Sequence, residues 1–186
     1  MVLEYNVRFG DPEAQAVLPR LKNDLVEVML ASCEGRMREV DLQWDSRACV
    51  CVVMSSGGYP GSYEKGKEIF GLDHVKENPS AVVFHAGTKK QGNKIVSSGG
   101  RVLGVTALGD GIEGAIKNAY ALVDQISFER CFFRRDIGAK ALKYLSKRSA
   151  SLKGVVPGLR PSCRFLKSTY NACCSSCVKC AWAFSR

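Results

Sequence analysis

Four residues near the start of the chain carry the clearest chemistry: Glu4, Asn6, Arg8 and Asp11. The first three alternate with Leu3, Tyr5, Val7 and Phe9. The apolar set favours an extended strand, and a period of two puts Glu4, Asn6 and Arg8 on one face. Carboxylate and amide oxygens suit a hard cation such as Mg²⁺, and a guanidinium pairs with phosphate through fixed donors. Gly10 breaks the strand. Asp11 is placed to cap a helix, and Pro12 suits that helix's first position.

The elements that must position this face come in order along the chain. Residues 12–36 read as helical, split by Pro19 into a short helix and a longer one. Leu25, Val28, Met29 and Cys33 give the longer helix an apolar stripe, with Asn23 or Asp24 as its cap and Gly35 near its end. Residues 48–54 form a continuous apolar run, a buried strand. The loop Ser55-Ser56-Gly57-Gly58-Tyr59-Pro60-Gly61 allows close backbone approach, so its N–H groups are able to face a phosphate, although most such loops are only turns. Residues 67–71 predict a short strand and turn. Strands are predicted again at 81–85, at 94–96 after a Gly92-Asn93 hairpin turn, and at 101–107. Asp110 is placed to cap a helix over 111–125, buried through Ile112, Ala115, Ile116, Ala119, Leu122 and Val123. Residues 126–133 are extended in part, and a last short helix runs from Ala139 to Leu145.

Composition bounds the reading. With 46% hydrophobic and 24% charged residues among 186, the chain is globular. No apolar run reaches the length of a membrane span, and Glu4, Asn6 and Arg8 interrupt any secretory pattern at the N-terminus, so a cytoplasmic protein without a membrane partner is expected. The net charge of +9 is uneven. Residues 149–186 hold six Lys/Arg and no acid, which leaves +3 for residues 1–148. So nearly balanced a body does not predict a nucleic-acid partner. The nine cysteines divide alike. Cys33, Cys49, Cys51 and Cys131 sit beside apolar neighbours and read as small buried hydrophobes. Cys163, Cys173, Cys174, Cys177 and Cys180 crowd the tail, and Cys174-x-x-Cys177-x-x-Cys180 has a metal-like spacing that needs a fourth ligand. A poorly ordered tail is the favoured reading. His85 is expected as a packed strand-end histidine rather than a base, and His74 carries no signal.

Arg8-Phe9-Gly10-Asp11-Pro12-Glu13-Ala14-Gln15, preceded by Glu4-Tyr5-Asn6, closely resembles a signature of the phosphoribosylamine–glycine ligases, members of the ATP-grasp superfamily. Residues 53–61, 84–88, 99–103 and 133–138 resemble successive later blocks of the same family, in its order, so that the likeness covers roughly residues 1–147. It implies an α+β fold: the end of an ATP-grasp subdomain over 1–40, then a mostly antiparallel C-terminal domain over 46–147 with flanking helices. Residues 149–186 match neither the family nor the further domain that comes after it in the trifunctional enzyme of animals. They read as an alternative or aberrant C-terminus.

By the same resemblance, ATP and Mg²⁺ or Mn²⁺ are the expected cofactors, and glycine and 5-phosphoribosylamine the substrates. Glu4 and Asn6 are implied as metal ligands and Arg8 as the catalytic cation facing the phosphate. Asp11, Arg101, Arg134 and Asp136 are implied on the substrate side, with structural ion pairs an equal reading of the last three. The family's adenine pocket and a further acidic metal ligand lie upstream of anything in this sequence. The expectation is therefore a portion inactive alone, or a non-catalytic form that associates with full-length enzyme. Without its sheet neighbours, the segment 1–36 is expected to expose an edge and an apolar face.

Overall fold

The computed structural model describes residues 7–75 and 78–153. Two compact units divide the chain, Met1–Arg135 and Asp136–Arg186. The fold is α+β with antiparallel sheets, as expected.

The first unit is built on two nine-residue strands, β1 (Ala48–Ser56) and β5 (Arg101–Gly109). They pair antiparallel from Ala48 opposite Gly109 to Met54 opposite Leu103. Strand β2 (Ala81–His85) flanks β5, and the two-residue β6 (Cys131–Phe132) flanks β1, giving the order β2-β5-β1-β6. Strands β3 (Thr88–Gln91) and β4 (Lys94–Ser97) form the separate hairpin turning at Gly92-Asn93.

Alternation sorts the central pair into two layers. Val50, Val52 and Met54 oppose Ala107, Val105 and Leu103, and all six are 5% exposed or less. Helix α3 (Gly111–Val123) lies against β1 and β5, burying Ala115, Ala119, Leu122 and Val123 with Ile112 and Ile116 half-buried, the face expected. Its approach is close: a Cβ on Gly109 would stand 2.3 Å from the Ala115 nitrogen. Asn118 Nδ2 donates to the Leu108 carbonyl at 2.9 Å, fixing the helix on the strand end. The opposite layer, with Cys51 and Gly104, meets helix α1 (Ala14–Val17) through Gln15.

Several elements differ from expectation. Residues 7–10 carry no regular structure, and Met1–Asn6 lie outside the described residues. Asp11 does not cap α1; Glu13 stands at the N-cap, with no side-chain cap bond. Pro19 does split the helical stretch, by way of a 3₁₀ turn over Leu18–Arg20. Helix α2 (Leu25–Cys33) is capped by Asp24, whose carboxylate accepts from Val26 N at 2.7 Å and Glu27 N at 3.4 Å. The inward face of α2 is Leu25, Val28 and Ala31, while Met29 and Cys33 are exposed. Residues 67–71 form no named strand; Glu68 and Phe70 make single bridges to Val96 and Ser127. Asp110 occupies the N-cap of α3 without a side-chain cap bond.

In the second unit, helix α4 (Ala139–Lys153) runs beyond the expected end at Leu145. It starts after Gly138, at φ 83°, with Ala139 N donating to the Asp136 carbonyl at 3.1 Å. The cysteine-rich tail beyond it lies outside the described residues, as does its metal-like spacing.

The N-terminal segment joins the sheet domain through Asp45. Its backbone carbonyl accepts from Arg20 Nη2 at 3.0 Å, and its carboxylate pairs with Arg47 at 2.8 Å. Arg47 Nη1 donates in turn to Ser80 Oγ at 2.9 Å. The hydrogen bond from the Arg47 side chain, with one from its backbone, holds the Asp45 carboxyl down at about 2. A carboxyl depressed in the folded state adds stability above its unfolded value of about 3.9, and that stability is lost as pH falls toward 2. Urea unfolding between pH 5 and 2 should therefore show a weaker acid dependence in Asp45→Asn than in the wild type; parallel curves would remove Asp45 from this role.

Candidate functional site

Three of the blocks that resemble the ligase family, 53–61, 84–88 and 99–103, meet at one end of the main sheet. Strand β1 leaves it at Ser56, β2 leaves at His85, and β5 enters at Arg101. Buried serines tie the strand ends to the neighbouring loops. Ser55 Oγ donates to the Phe132 carbonyl at 3.1 Å, and Ser56 Oγ to the Gly99 carbonyl at 2.9 Å.

Glycine is required here by crowding. Gly87 and Gly99 stack backbone to backbone, and a Cβ on Gly87 would stand 2.6 Å from the Gly99 Cα. Gly100 lies under the Tyr59 ring, where a Cβ would meet it at 2.1 Å. The N–H groups of Ser98 and Gly99 both donate to the Gly87 carbonyl, at 2.8 and 3.2 Å, and Gly87 N donates to the Arg101 carbonyl at 2.8 Å. In these loops the close approach expected of glycine is an approach of the chain to itself. His85, at the end of β2, is exposed rather than packed, with Nδ1 3.0 Å from Thr88 Oγ1.

Arg101 is turned toward the N-terminal segment by a local irregularity. The β1–β5 register shifts after Met54–Leu103, so that Ser55 faces Arg101 and Val102 is the extra residue. Such a bulge reverses the alternation of the strand beyond it. It brings Arg101 to the layer of Cys51 and Gly104, the side where α1 sits. There Arg101 Nη1 donates to the Asp11 carbonyl at 2.9 Å, and Nη2 pairs with the Asp11 carboxylate at 3.0 Å. Gln15 Nε2 donates to the other Asp11 oxygen at 2.8 Å. Gln15 Oε1 is buried without a partner among the described residues. The Arg101 and Asp11 side chains are 41% and 56% exposed, so the pair contributes on the order of 1 kcal/mol or less to stability. It orients more than it stabilises.

Glu4 and Asn6 lie outside the described residues. Arg8 is exposed, its Nη1 3.3 Å from the Phe9 carbonyl. Arg134 is exposed, and its backbone carbonyl accepts from Tyr120 Oη at 2.6 Å. The guanidinium over the Phe133 ring belongs to Arg135, at 4.8 Å, and also lies 3.6 Å from the Asp124 carboxylate. Asp136 opens the second unit and is exposed. Among the contacts described above, Asp11 is joined to Arg101. Gln15, four residues after Asp11, is a member that sequence reasoning misses; that spacing on a helix start is the signal that finds it. No group of three metal-ligating side chains occurs among the described residues.

This constellation defines a glycine-packed C-terminal α+β domain with the end of a preceding segment clamped to it. Residues 49–140 match the family described as Phosphoribosylglycinamide synthetase, C domain. The phosphoribosylamine–glycine ligase of Synechocystis is 54% identical over 142 residues, which cover 76% of this chain and 34% of that protein. The ligase of Caldanaerobacter subterraneus is 51% identical over 138 residues, covering 74% of this chain and 32% of the relative. The crystal structure of the Thermotoga maritima ligase superposes with a TM-score of 0.60 and 35% identity, over 73% of this chain and 32% of that one. The chain belongs to the phosphoribosylamine–glycine ligase family and corresponds to its C-terminal part, spanning about a third of the length of the relatives it matches.

The cysteines give a check on the packing around β1. Burial pushes the Cys49 thiol up to about 12 and also raises Cys51, which is buried. Cys33 is exposed rather than the buried hydrophobe expected. The thiolate is the reactive form. Iodoacetamide at pH 8 should therefore modify Cys33 first among Cys33, Cys49 and Cys51, as read by peptide mass; modification of Cys51 at a similar rate would contradict the packing.

Proposed function

We propose that this chain is the closing third of a ligase that joins glycine to 5-phosphoribosylamine at the expense of ATP, giving glycinamide ribonucleotide, ADP and phosphate. The reading rests on family membership and on one observation: the Asp11–Arg101 clamp ties the turn three residues after Arg8 to the glycine-packed end of the sheet. On this reading residues 1–40 close an ATP-grasp domain, and 46–147 form the C-terminal domain.

The chemistry such a reaction needs is neutralisation of charge on the transferred phosphoryl group. Glu4 and Asn6 offer a carboxylate and an amide oxygen, a hard donor set that fits Mg²⁺ or Mn²⁺. Bound there, the metal would supply charge neutralisation on the phosphates of ATP. Arg8, two residues further along the sequence, adds a positive charge suited to phosphate. Asp11 and Arg101 hold the turn after this face, and Arg134 and Asp136 serve the ribose-phosphate side. Two oxygen donors do not fill a Mg²⁺ shell, so the site needs further ligands from the phosphates and from elsewhere in the enzyme. Among the described residues no helix is long and apolar enough to cross a membrane.

A second reading is a non-catalytic form that binds the full-length enzyme, favoured by the apolar outer face of α2. The two meet in one assay. The isolated chain should release no ADP in a glycine- and phosphoribosylamine-dependent manner with ATP and Mg²⁺. Turnover by the chain alone would overturn the requirement for the rest of the enzyme.

A further inference from the structure

Strand β2 (Ala81–His85) stands at the edge of the main sheet, paired with β5 on one side only. That pairing decides which of its backbone groups point outward. Leu108 N donates to the Ser80 carbonyl at 2.8 Å and Ala86 N to the Val102 carbonyl at 3.0 Å, in the register that sets Val83 opposite Val105. Hydrogen-bonded and non-bonded residues alternate along an antiparallel ladder. Val82 and Phe84 therefore turn their N–H and C=O groups to β5, while Ala81, Val83 and His85 turn theirs away from it. Ala81 N is taken by the Asn78 carbonyl at 3.1 Å. The N–H groups of Val83 and His85 and the carbonyls of Ala81 and Val83 have no partner among the described residues.

Natural edge strands are guarded by a charge, a proline or a bulge. Strand β2 reads Ala-Val-Val-Phe-His and keeps a regular register, so it has none of these. Val82 is 44% exposed. A groove of about 300 Å³ lies along the same edge, lined by Leu72 and Val75 with Val82 and Val83. An open row of backbone donors and acceptors beside an apolar groove takes an extended strand.

The sequence of β2 supplies that strand. Set antiparallel to its own copy about Val83, it uses every open group named above. Val83 N–H and C=O exchange bonds with Val83 of the second copy, and each His85 N–H meets an Ala81 carbonyl. Val82 falls opposite Phe84, a β-branched–aromatic pair of the kind that stabilises sheets, and no like charges meet. We propose that β2 is a self-association edge, at which two copies of this chain pair antiparallel about Val83 and join their sheets into one. The interface is isologous, the commonest form of closed dimer. Two five-residue strands with their grooves bury a small area, below about 1,200 Å² in total, so the association is weak and reversible. It is independent of the ligase reading.

Sedimentation equilibrium of the intact chain, kept under reductant so that its cysteines do not cross-link it, should show a monomer–dimer equilibrium with Kd of roughly 10–100 µM. Val82→Lys introduces an edge charge at an exposed position, and should weaken the dimer by about tenfold or more without changing Tm. Hydrogen exchange of the wild type gives a second readout. Raising its concentration about a hundredfold, to roughly 500 µM, should slow the Val83 and His85 amides severalfold, with little change at Val82 and Phe84, which already bond to β5. A chain that stays monomeric across that range overturns the proposal. So does a dimer that Val82→Lys leaves intact, or one whose concentration-dependent protection lies away from β2. Should Val82→Lys fail to fold, the alternation of protection along β2 decides by itself.

Discussion

The pairing of β1 with β5, and the single irregularity at its end, is the constraint on which the rest depends. Where the register is regular, Val52 with Val105 and Met54 with Leu103 build a layer almost fully removed from water. Burying each such side chain stabilises the fold by about 1.5–3 kcal/mol. Regular pairing continued to the end would put Arg101 into that same dry layer, where an unpaired charge is costly. The bulge at Val102 moves Arg101 to the opposite layer, half-exposed, where Asp11 stands. The burial of Val102, at 0% exposure, holds the bulge in place.

That reversal divides the labour between two parts of the fold. The sheet and α3 provide rigidity, and the crowded glycine loops close the sheet end on themselves. The N-terminal segment is held through a few directed polar contacts: Arg101 to Asp11, Gln15 to Asp11, and Arg20 to Asp45. Each is individually modest. Together they fix the direction in which the chain bearing Arg8 leaves the sheet domain.

Much of this is legible in the sequence, for physical reasons. Period-two alternation and the apolar run at 48–54 locate β1, and the 3.6-residue pattern of Ala115, Ala119 and Leu122 locates the buried face of α3. Gly92-Asn93 marks the hairpin. The motif blocks point to the family. What escapes is whatever depends on partners distant in sequence. The bulge at Val102 leaves no local mark, so the pairing of Arg101 with Asp11 across 90 positions is not derivable, although both residues stand out individually. The buried stripe of α2 is misplaced by sequence because a helix apolar on two faces offers two equally good stripes, and hydropathy alone cannot choose. Asp11 looks like a cap, but its carboxylate is occupied by Gln15 and Arg101.

The central claim is that Arg101 anchors the N-terminal segment to the sheet. Hydrogen exchange of the intact chain, comparing wild type with Arg101→Gln, tests it most directly. Severalfold faster exchange is expected at the α1 amides of Ala16 and Val17, which bond to the Glu13 carbonyl, while the amides of β1 and β5 keep their protection. Equal protection of α1 in both proteins would contradict it.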